Sequence, residues 1–86
     1  MFEGLAHLSD QQVQVLLREV DQRNLVIALR GASPALRHKM LGNMSVRVRF
    51  FLLDQMSYMR ANTATIFEKQ VRIVQQYRRL RGMGRL

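Results

Sequence analysis

The sequence predicts an all-α fold, a small bundle of about six short helices, on three observations. Apolar residues recur at i, i+3, i+4 and i+7, as at Val13, Leu16, Leu17 and Val20, which is the stripe of a helix packed on one side. Helix signals bracket these stripes: Ser9, Asp21, Ser33-Pro34 and Ser45 as starts, and Gly31, Gly42-Asn43, Gly82 and Gly84 as stops. Nothing alternates with the period of a strand, and no internal repeat or low-complexity tract stands out.

A short first helix spans about residues 2–7 and ends near Leu8. Ser9 with Gln12 three residues on is a capping box, opening a helix over about 10–19. Asp21 caps a helix over about 22–30, with Leu25, Val26, Ala28 and Leu29 inward and Gly31 as a left-handed stop. The next, about 34–42, starts on Ser33-Pro34, turns Leu36, Met40 and Leu41 inward and breaks at Gly42-Asn43.

The helix over about 46–59 is unusually apolar. Val48, Phe51, Leu52, Gln55, Met56 and Met59 form one stripe; Arg47, Phe50, Asp54 and Ser57 form another. The last helix, about 65–81, opens on a second capping box, Thr65 to Glu68. Its inward side holds Ile66, Val71, Ile73, Val74, Tyr77 and Leu80, and Lys69, Arg72, Gln76 and Arg79 line the solvent side. In this arrangement Phe51, Leu52 and Met56 pack against Val71 and Val74, and the tail beyond Gly82 frays.

Eighty-six residues allow one domain, residues 1–86, with room for a helical core and too little for a large active-site cleft. There is no cysteine, which removes disulfides and thiolate metal sites. No apolar run approaches the roughly 20 residues needed to span a bilayer. The net charge of +8 is uneven: residues 1–45 carry five basic against four acidic side chains, and residues 46–86 nine against two. Such an imbalance favours an acidic partner.

Catalysis is not indicated. Six scattered carboxylates offer no acid–base pair, His7 and His38 stand without companions at ligand spacing, and no glycine-rich loop opens a helix. No cofactor and no metal are called for. The basic stripe Lys69, Arg72 and Arg79 raises a nucleic-acid reading, but the helix lacks interleaved aromatics and a convincing helix-turn-helix spacing. Arg47 and Asp54 form the sharper feature. Seven residues are two turns, so both project from one side, about 10 Å apart along the axis. That is too far for an intrahelical ion pair, which leaves both to an outside partner.

Three segments carry a family resemblance: Arg18-Glu19-Val20-Asp21, Ala28-Leu29-Arg30-Gly31-Ala32-Ser33 and Asn43-Met44-Ser45-Val46-Arg47. They resemble the "REVD", "ALKGAS" and "NMSxR" segments of the C-terminal domain of FliG, the flagellar motor switch protein family. Phe2-Glu3 and Arg78-Arg79-Leu80 are similar to the family's Phe-Glu and terminal "RRL", so the likeness covers nearly the whole chain. It implies the helical subdomain that follows a hinge from a preceding helical domain. It also implies a non-enzymatic rotor component that transmits force from an ion-driven stator.

By the same resemblance, the ridge meeting the cytoplasmic loop of a MotA-like stator protein falls on Arg30, Arg47 and Asp54. The implied setting is the cytoplasmic side of the inner membrane at the flagellar basal body, among the other rotor subunits of the switch complex. The chain departs from the pattern in places. The family's second acid is Gln55 here, Phe50 replaces a small or polar residue, and a further arginine falls on Asn62 or Thr63. We therefore count Phe50 and Gln55 with the ridge. The alternative readings are a basic nucleic-acid-binding helical module and a FliG-like domain repurposed for another assembly.

Overall fold

A computed structural model describing residues 1–86 contains a 3-10 helix at Phe2–His7, then α1 (Asp10–Glu19), α2 (Gln22–Arg30), α3 (Pro34–Gly42), α4 (Val46–Tyr58) and α5 (Thr63–Gly82), with no strand. The starts follow from side chains that accept from amides left free at a helix N-terminus. The Ser9–Gln12 box is closed in both directions. Asp21 accepts from the amides of Arg23 and Asn24, Ser33 from Leu36 and Ser45 from Val48. Pro34 occupies the first turn of α3, where its missing N–H costs nothing.

α2 is the central element, buried from Leu25 to Leu29 and packed against α5 on one side and α4 on another. Around it the core gathers Phe2 and Leu5, Val13 and Leu16, Leu36, Met40 and Leu41, and Ile73, Val74, Tyr77 and Leu80. α4 contributes only Leu52 as a fully buried side chain, with Val48, Met56 and Met59 half-buried at the core margin. It lies on α2, not chiefly on Val71 and Val74 of α5 as the stripes predict. Phe51 and Val71 are accordingly exposed.

Two helix signals act differently from their sequence reading. Gly31 has φ −100°, an ordinary conformation, so it is no left-handed stop. It is needed for space: a Cβ there would stand 2.6 Å from Cγ2 of Ile66 and 2.9 Å from Nε2 of Gln70, both on α5. The left-handed residue is Gly84, with φ 73°. Beside it the amide of Arg85 donates to the Leu80 carbonyl and that of Gly84 to Arg81, the paired bonds of a Schellman ending. α5 also starts two residues early. Its cap is Asn62, whose Oδ1 accepts from the Thr65 amide at 2.8 Å, so Thr65 and Glu68 form no capping box.

The structure also shows a repeat that the composition hides. Twelve residues separate Leu29, Ser33 and Arg37 from Leu41, Ser45 and Arg49, and each pair plays the same part. Arg37 Nε donates to the Leu29 carbonyl at 3.2 Å, and Arg49 Nε to the Leu41 carbonyl at 3.2 Å. In each turn an arginine from the new helix covers a carbonyl in the last turn of the old one, where partial negative charge collects. The repeat is one of hydrogen bonding, carried by only a few side chains.

Long-range polar contacts fasten the remaining elements. Glu3 accepts from the amide and hydroxyl of Ser33, which holds its carboxyl below the usual range and ties the 3-10 helix to the start of α3. Asp10 is lowered by hydrogen bonds from Lys39 and Asn43, joining α1 to α3. Gln76, placed by periodicity on the solvent side, instead donates to the Glu19 carbonyl at 3.1 Å. The tail does not fray: Arg85 pairs with Glu19 at 2.6 Å, and Leu86 packs on the core.

Candidate functional site

The site is assembled by α4. Ser45 and Arg49 fix its N-terminal end, and burial of Leu52 fixes its rotation. With Leu52 inward, the 100° step between residues sends Arg47, Phe50, Asp54 and Tyr58 outward. Arg47 and Asp54 are exposed, and their side chains make no ion pair or hydrogen bond within the chain. Phe50 stands between them, 67% exposed. The structure thus brings Arg47, Phe50 and Asp54 onto one face, as the sequence predicts.

Arg30 and Gln55 have other surroundings. Arg30 Nη1 donates to the Met56 carbonyl in the last turn of α4, so the end of α2 holds the end of α4. The cation supplies a donor and positive charge where α4 has free carbonyls. Gln55 is half-buried on the α2 side of α4. It lines a groove of about 460 Å³ with Gln22, Arg23, Val26, Phe51, Leu52 and Met59. It is therefore a flank of the ridge and not part of its crest.

Sequence reading missed the extent of the apolar face. Phe51 and Tyr58 are 51% and 74% exposed, and Val46 and Leu53 are also on the surface. A signal for this was present: the 46–59 segment has apolar residues on both of its stripes, more than one neighbouring helix can cover. No three His, Cys, Asp or Glu side chains converge into a metal-binding group. The arrangement is a convex, mixed aromatic and charged helix face, suited to transient contact with another protein surface.

The family model of the FliG C-terminal domain matches residues 1–86. The chain belongs to this family. It is 39% identical over its whole length to the flagellar motor switch protein FliG of Thermotoga maritima, and 33% identical over 99% of its length to FliG of Aquifex aeolicus. In each case it spans about a quarter of the relative, 26% of its length. A crystal structure of FliG from H. pylori superposes with a TM-score of 0.94 at 25% identity, covering 98% of this chain and 37% of that one. Full-length FliG from Aquifex aeolicus gives 0.88 at 32% identity, over 92% of this chain and 25% of that one. The all-helical architecture is thus that of FliG C-terminal structures. No helix is long and apolar enough to cross a membrane.

Proposed function

We infer that this FliG C-terminal domain is a rotor component of a flagellar motor switch, and that the outward face of α4 meets the cytoplasmic loop of a MotA-like stator protein. The observation that carries the reading is the unpaired Arg47 and Asp54 on one exposed helix face within a FliG-family fold. Charges left free of internal partners are available to steer encounter with a complementary surface. Phe50 adds an apolar centre, offsetting a ridge in which Gln55, and either Asn62 or Thr63, stand where the family resemblance places charge. Arg30 serves this face by holding the end of α4. The domain does no bond chemistry: it passes force as stator and rotor faces engage and release. Its place is the cytoplasmic side of the inner membrane, beside the other switch subunits.

Site-directed cross-linking tests this contact. With Phe50→Cys in the complete motor protein and a cysteine in the stator's cytoplasmic loop, a disulfide-linked adduct should form in membranes. A cysteine at exposed His38 on α3 should give none. Equal adducts from both positions, or none from position 50, would contradict the contact.

A further inference from the structure

The exposed face of α4 is complementary to itself. Arg47, Phe50, Asp54 and Tyr58 fall within an arc of about 80° on the side away from Leu52, and Phe51 borders it on the α2 side. The aromatic side chains there are mostly in solvent, and contiguous exposed apolar patches of this kind mark interaction surfaces. We propose that a second copy of this chain covers the face, α4 against α4 in antiparallel orientation, about a two-fold axis between Phe50 and Phe51.

The register follows from the charges. Arg47 and Asp54 lie equally far from that midpoint, so each Arg47 meets the partner's Asp54, and symmetry makes the pair twice. Phe50 and Phe51 of both copies gather around the axis. A parallel pairing in register would set like charges together. The net charge of +8 on each copy opposes the contact and adds to its weakness, although most of that charge stands away from the α4 face. α5 carries Lys69, Arg72, Arg78, Arg79 and Arg81 against Glu68, and α2 packs between it and α4. A single helix of 13 residues is short, and its face falls below the roughly 800 Å² per partner of a standard interface. The dimer is therefore weak and concentration-dependent. It goes beyond the stator reading and uses the same face, so a second copy and a stator loop compete for α4.

Sedimentation equilibrium on the purified chain over a concentration series tests this, with circular dichroism confirming that each variant is folded. The parent should pass from monomer to dimer. Arg47→Asp alone, or Asp54→Arg alone, turns both pairs into like-charge contacts and should weaken dimerisation about tenfold. The double exchange Arg47→Asp/Asp54→Arg should restore it, and a mixture of the two single variants should associate as a heterodimer. A partner of fixed charge is not regained by the double exchange, which separates this dimer from the stator contact. A parent that stays monomeric at every concentration, or a double variant as weak as the singles, would overturn the proposal.

Discussion

Gly31 shows how one residue can be rightly singled out for the wrong reason. Its position after α2 and before Ser33-Pro34 suggests a left-handed stop, yet its φ is negative and its role is clearance for Ile66 and Gln70 of α5. The two causes predict different variants. At a negative φ with open space, alanine would stabilise by narrowing the unfolded ensemble. Here Gly31→Ala should destabilise by about 1–3 kcal/mol, the range for overpacking. The loss should shrink in an Ile66→Ala background, where the clashing methyl is gone. Urea melts of the four species measure it; a Gly31→Ala variant as stable as the parent would remove the close approach as the cause. The sequence could not reveal this, because Ile66 is 35 residues away and nothing local records the contact.

Among the elements, starts were more legible than faces. Ser9, Asp21, Ser33 and Ser45 all cap as read, because an N-cap is a local hydrogen bond between residues two or three apart. α4 was less legible: the stripe of Val48, Leu52, Met56 and Met59 does turn to the core, but apolar residues on both stripes hide which neighbouring helix it packs on. Leu52 was placed correctly and Phe51 was not, since α4 lies on α2 and contributes a single fully buried residue. The end of α5 was misread as fraying because Arg85–Glu19 and the docking of Leu86 are long-range contacts. α4's rotation therefore rests heavily on Leu52. Replacing it with alanine should cost about 2–5 kcal/mol in thermal or chemical unfolding. A cost below about 0.5 kcal/mol, usual for surface positions, would mean α4 is rotated otherwise.

On the scale of the whole molecule, α4 is offered to the outside by a scaffold that holds it from two sides. Arg49 ties its first turn to the end of α3, and Arg30 ties its last turn to the end of α2. Of the candidate site, the pair Arg47 and Asp54 was legible because a seven-residue spacing fixes a shared helix face wherever the helix lies. The capping role of Arg30 was not, because it needs the packing of α4 on α2. If this face meets a charged stator loop, as proposed, the rotation speed of cells carrying Asp54→Lys in the complete motor protein will register it. Charge inversion should slow rotation partially, the fold being intact, and a compensating reversal on the stator loop should recover part of the loss. If Asp54→Lys and Arg47→Glu both rotate at the parent speed, singly and together, the outward face of α4 is not the working surface.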